Sequence, residues 1–141
     1  MGVVGAVVLA LAGAASSSYV SVTAEFVPAG KPGGDAYVAV TFAPRDKEIV
    51  VNEEPAPRLK LAADEAVLLD KQKPAGRAVY DPENPKYLDV AVPVHLPVAL
   101  KPTAPKGRHD VKAKLTYFYC SKREGWCRKG TEDLAFPVDV R

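Results

Sequence analysis

The sequence predicts an all-β, two-sheet sandwich on three observations. Val occurs 20 times, against one Ile and one Met, and a β-branched side chain of this kind packs well on a pleated surface. The 141 residues include 13 Pro and 10 Gly, which leave little room for long helices. Short stretches of alternating apolar and polar residues recur between turn-forming clusters. The length suits one domain, and a hydrophobic fraction of 48% with 26% charged residues suits a packed core. Nineteen Lys and Arg against 17 Asp and Glu give a net charge of +2, which lacks the basic excess of a protein that grips nucleic acid by its backbone.

The first element is expected to be a targeting segment. Val3 to Ala15 is a run of thirteen uncharged residues, shorter than the roughly 20 needed to span a bilayer. It has the length of a signal-peptide core, and Ala12-Gly13-Ala14 supplies small residues for cleavage, although no Lys or Arg precedes Val3. The same run would also suit a buried first strand. The expected organisation is a signal-peptide-like segment over 1–16 and one domain over 17–141. The mature chain, periplasmic or otherwise exported, is expected to have no membrane span, because no second apolar run occurs.

Val20, Val22, Ala24 and Phe26 alternate with polar residues and predict the first strand of the domain. Pro28 to Asp35 is turn material. Ala36 to Phe42 is apolar on both faces and predicts a central strand. Asp46, Glu48, Glu53 and Glu54 suit a solvated face. Arg58 to Leu61 is a short strand, and Ala62 to Gln72 fits either a strand with a turn or a short helix. Lys73 to Lys86 predicts a loop. Tyr87 to Leu100 predicts one strand, with Val90, Val92, Val94, Leu96 and Val98 on one face. Pro93 and Pro97 in that stretch predict a sheet edge or a bulge. Arg108-His109-Asp110 resembles a turn. Asp110 to Cys120 is the clearest strand, with Val111, Ala113, Leu115, Tyr117 and Tyr119 on one face. Leu134 to Val140 alternates again and is expected to pair with it.

The chemistry concentrates in Cys120 and Cys127, which are the only two cysteines. In an exported chain such a pair predicts a disulfide, here across a hairpin or loop. Lys122, Arg123, Arg128 and Lys129 surround the pair, and positive charge favours the reactive thiolate. Tyr117, Phe118, Tyr119 and Trp126 are expected to form an aromatic collar. The residues alone leave two alternatives open, a redox-active pair or a purely structural staple in a non-catalytic binding or accessory domain. His95 and His109 match no common zinc-ligand spacing, so neither metal nor cofactor is expected.

The stretch LTYFYCSKREGWCRKGTEDLAFPVDV resembles the end of the amino-terminal periplasmic domain of the thiol:disulfide interchange protein DsbD family. Leu115-Thr116-Tyr117, Gly125-Trp126-Cys127 and Phe136-Pro137-Val138 carry the likeness. Ala36 to Phe42 and Leu88 to Leu96 extend it more loosely upstream. The resemblance implies an immunoglobulin-like sandwich, with Cys120 and Cys127 as its redox centre, cycling between dithiol and disulfide. It implies electron exchange with thioredoxin-like or membrane thiol–disulfide electron-transfer proteins. It also implies a shielding loop near Gly76 to Pro85, with Tyr80 as the covering aromatic. The cysteine spacing is one residue longer than in the best-known members.

Overall fold

The computed structural model describes residues 19–29, 36–71, 80–81 and 84–141. The signal-peptide-like segment, most of the expected turn at Pro28 to Asp35 and most of the expected shielding loop lie outside them. Among the described residues there is no helix, and none long and apolar enough to cross a membrane. The strands in chain order are β1 (Val20–Val27), β2 (Ala36–Pro44), β3 (Ile49–Val51), β4 (Arg58–Leu61), β5 (Leu68–Asp70), β6 (Tyr80–Asp81), β7 (Asn84–Leu88), β8 (Val94–Leu100), β9 (Gly107–Ser121) and β10 (Cys127–Val140).

Two antiparallel sheets form the sandwich. One has the order β1-β2-β8-β5. The other is built on β9, with β10 along one side and β3 and β4 sharing the other. The strands β6 and β7 pair separately, and a bridge between Asn52 and Tyr87 joins β7 to the end of β3. Inward positions of both sheets meet in one core. Val20, Val22, Val38, Val40, Phe42, Leu96 and Val98 come from the first sheet; Leu59, Val111, Leu115, Tyr117, Leu134, Phe136 and Val138 come from the second. Each such side chain contributes roughly 1.5–3 kcal/mol of burial. The expected central position of Ala36–Phe42 holds, since β2 pairs with both β1 and β8.

The structure corrects several expectations and, at Ala62–Gln72, decides between the two alternatives left open. The Tyr87–Leu100 stretch is two strands, because Asp89 makes a turn: its side chain accepts the Ala91 N–H at 3.0 Å and its carbonyl accepts the Val92 N–H at 3.1 Å. Pro93 then lies outside any strand, and Val92 is exposed. Pro97 does not mark an edge, because β8 runs between β2 and β5. Its carbonyl accepts the Lys71 N–H at 3.2 Å, just past the end of β5, so its missing N–H falls where that short partner strand has stopped.

The Ala62–Gln72 stretch, as far as it is described, is a turn followed by β5. The Glu65 carboxylate takes the N–H groups of Val67 and Leu68 at 2.7 and 3.0 Å, which competes with helical bonding. Arg108-His109-Asp110 belongs to β9, and the described parts of Lys73–Lys86 pair as strands rather than forming open loop.

The last strand also begins seven residues earlier than Leu134, at Cys127. Its inward positions there are Gly130 and Glu132, neither of which reads as apolar. Both are buried because Tyr117 packs across them: its ring covers Gly130, and its hydroxyl donates to Glu132 Oε2 at 3.2 Å.

Candidate functional site

The long β9–β10 hairpin carries Cys120 and Cys127 at its tip. Fourteen residue pairs hold its two strands in register, from Gly107 opposite Val140 to Cys120 opposite Cys127. Beyond the cysteines, Ser121 N–H donates to the Trp126 carbonyl at 2.9 Å. Hydrogen-bonded and non-hydrogen-bonded pairs alternate along an antiparallel ladder, so Cys120 and Cys127 form a non-hydrogen-bonded pair, whose side chains lie closest. Their Cα atoms are 4.0 Å apart and a disulfide joins them, closing the bridge expected from the spacing. The turn itself is tight. Gly125 N–H donates to the Ser121 carbonyl at 2.8 Å, Glu124 N–H donates to Ser121 Oγ at 3.1 Å, and Gly125 takes φ +76°, a left-handed conformation that glycine adopts without steric cost.

The two sulfurs occupy unequal environments. Both cysteines face away from the core, on the outer side of the sheet. Strand β9 is interior to its sheet, so Cys120 is flanked by Cys127 on one side and by Val50 of β3 on the other. Cys120 is only 6% exposed. Cys127 belongs to the edge strand β10 and is exposed. Cys127 is therefore the more accessible end of the bridge and Cys120 the shielded end. On the same face Phe118 is half-buried opposite Lys129, and Asn52 Oδ1 lies 3.2 Å from Cys120 Sγ.

The expected aromatic collar is rearranged. Alternation turns Tyr117 and Tyr119 to the inner side of the sheet, where both are buried in the core. Trp126 shares that inner side and meets Tyr119 at 5.8 Å and Tyr19 at 5.0 Å between ring centroids. The Arg128 guanidinium lies 4.1 Å above the Trp126 ring and 5.5 Å from Tyr19, while Arg45 covers Tyr19 at 4.5 Å. Trp126 Nε1 donates to Glu124 at 2.8 Å. This cluster braces the hairpin tip from behind. Arg128 is thus committed to aromatic rings, whereas Lys129 is the cation sharing the outer face with Cys127. Tyr19, Arg45 and Asn52 are site residues that sequence reading misses, because they reach the tip from distant segments.

The histidines lie elsewhere. His95 stacks on Tyr37 at 4.0 Å on the outside of the opposite sheet. His109 Nε2 bonds the Pro105 carbonyl at 2.7 Å, and eleven residues of strand, roughly 35 Å, separate it from Cys120. Among the described residues no group of three or more potential ligands is arranged to hold a metal. An open cleft of about 730 Å³ is lined by Lys60, Lys112, Lys114 and Asp133, some six residues or more along the sheet from the disulfide. Tyr80 is in β6, paired with Leu88. No protein-family model matches the chain, and searches of curated proteins and of solved structures find no match either.

Proposed function

We propose that the chain is an exported, immunoglobulin-like thiol–disulfide exchange module that works through Cys120 and Cys127. The observation that carries the proposal is the asymmetry of the bridge, an exposed cysteine on an edge strand joined to a buried cysteine on an interior strand. An incoming thiolate attacks Cys127 Sγ and forms a mixed disulfide. The Cys120–Cys127 bond breaks and its electron pair leaves with Cys120 Sγ. Cys120 then attacks Cys127 Sγ, the bridge reforms, and the partner thiolate departs; attack on the partner's sulfur by a second thiol instead leaves the dithiol reduced. Partners of this chemistry are thioredoxin-like or membrane thiol–disulfide electron-transfer proteins. Removal of residues 1–16 as a signal peptide fits the same setting, since a disulfide persists outside the reducing cytosol.

The sheet orders support the immunoglobulin-like part of the proposal. The order β1-β2-β8-β5 corresponds to strands A-B-E-D of that fold, and β10-β9 with β3 and β4 corresponds to G-F-C, with the third strand divided in two. Fourteen residue pairs hold the hairpin in register, so its two strands do not depend on the disulfide alone. The burial of Cys120 favours the competing reading, a binding or accessory domain with a structural bridge. Reduction potential separates the two. An exchange module should equilibrate with a thioredoxin-like donor at a potential above about −300 mV, and a structural bridge should lie below it and exchange slowly. A potential below that value with no exchange overturns the proposal.

A further inference from the structure

We propose that Asn52 is a positioning residue for the Cys120–Cys127 pair, its carboxamide serving the departing sulfur in both protonation states. The inference rests on the exchange reading above and adds a residue to it.

Asn52 follows β3, and its Oδ1 lies 3.2 Å from Cys120 Sγ, across 68 residues of sequence. A bridged sulfur carries no hydrogen, so it donates nothing to that oxygen while oxidised. The contact acquires its chemistry on reduction. When an external thiolate bonds to Cys127 Sγ, the Cys120–Cys127 bond breaks and Cys120 Sγ takes its electron pair as a thiolate. That charge appears on a sulfur of a residue only 6% exposed, where water solvates it poorly. A carboxamide turned over about its last torsion presents N–H donors to the thiolate; unturned, it offers Oδ1 to the thiol once a proton has been taken from water. A carboxylate offers the thiolate no donor, whereas the amide can donate to the thiolate and accept from the thiol.

The side chain is also held for the task. Asn52 N–H donates to the Phe118 carbonyl at 2.8 Å, and the residue bridges Tyr87 on its other side. The backbone that carries the carboxamide is therefore fixed to the strand that carries Cys120. The charged residues of the surrounding segments, Glu48 and Glu53 beside β3 and Lys122, Glu124 and Lys129 around the hairpin tip, stay the same when Asn52 alone is replaced.

Two measurements on the exported chain test the proposal, with folding of each variant checked by circular dichroism. The first is the rate at which dithiothreitol reduces the bridge in the parent, Asn52→Ala and the isosteric Asn52→Asp. The second is the thiolate absorbance titration of Cys120 in a Cys127→Ser background, with and without each Asn52 change. Asn52→Ala should slow reduction about tenfold, the scale of a lost hydrogen bond to a charged group, and raise the Cys120 titration midpoint. Asn52→Asp should raise it further. A changed rate without a changed midpoint, or no change in either, overturns the proposal. Dithiothreitol is a small reagent, so the result does not depend on any physiological donor. Failure to exchange with a thioredoxin-like protein would sink the function and leave this outcome readable by itself.

Discussion

Gly130→Ala should destabilise the protein, although alanine ordinarily suits a strand better than glycine. A Cβ at Gly130 would lie 2.5, 2.7 and 2.9 Å from Cζ, Cε1 and Cε2 of Tyr117. Carbon atoms rest about 3.5–4.0 Å apart, so the ring must retreat by roughly 1 Å. It has little room. Tyr117 is fully buried, with Phe42 at 5.1 Å, Tyr119 at 5.7 Å and its hydroxyl on Glu132 at 3.2 Å. Overpacking of this kind costs about 1–3 kcal/mol. The strand preference for alanine offsets about 0.5–1 kcal/mol. A net loss of about 1–2 kcal/mol follows, a fall in melting temperature of roughly 3–10 °C for a domain of this size.

The assay for that loss is urea unfolding followed by the fluorescence of Trp126, the single tryptophan. The same change made in a Tyr117→Leu background, where the outer ring atoms are gone, should cost nothing or stabilise. A neutral Gly130→Ala in the parent, or an equal loss in both backgrounds, would refute the packing argument.

Four further outcomes are expected. Cys120→Ser leaves the exposed Cys127 free and should trap a mixed disulfide with a thiol partner on non-reducing gels, on the order of tenfold more than Cys127→Ser, which leaves only the buried sulfur. Reduction should leave the circular dichroism spectrum unchanged and lower stability by at most about 2.5 kcal/mol, the loop-entropy value for an eight-residue ring. Trp126→Ala should cost about 1–2 kcal/mol by removing the seat of Arg128 and the contacts to Tyr19 and Tyr119. It should alter dithiothreitol reduction less than about twofold, because the cluster is on the opposite face from the sulfurs. Mass spectrometry of the exported protein should find an N-terminus between Ala15 and Ser18.

Much of the sandwich is legible wherever inward positions are apolar, as in Val111 to Tyr119 and Leu134 to Val140. It becomes illegible where a buried position is filled by something other than an apolar side chain. Gly130 and Glu132 hide half of β10, since their burial depends on a tyrosine from the neighbouring strand. Asp89 hides the break in Tyr87–Leu100, because an Asx turn cuts through a run whose alternation is otherwise uninterrupted. The cysteine pair is readable from spacing alone. The side of the sheet on which each neighbour falls is not, so Tyr117, Tyr119 and Arg128 look adjacent to the sulfurs in sequence and point away from them in space. Asn52 is beyond local reading altogether, because the pairing of β3 with β9 brings it to Cys120.

The hairpin gives the domain a directional polarity with practical weight. Thirteen residue steps separate Cys120 from Gly107, which pairs with Val140. At about 3.3 Å per step Val140 lies on the order of 40 Å from the bridge. Tyr19, where the described chain begins, touches Trp126 at the sulfur end. A surface tether placed beside Val140 therefore leaves the disulfide pole facing outward, while one placed beside Tyr19 crowds it. Immobilising the protein by the Gly107–Val140 end of the hairpin is the orientation that leaves the proposed exchange site open to a partner's thiol.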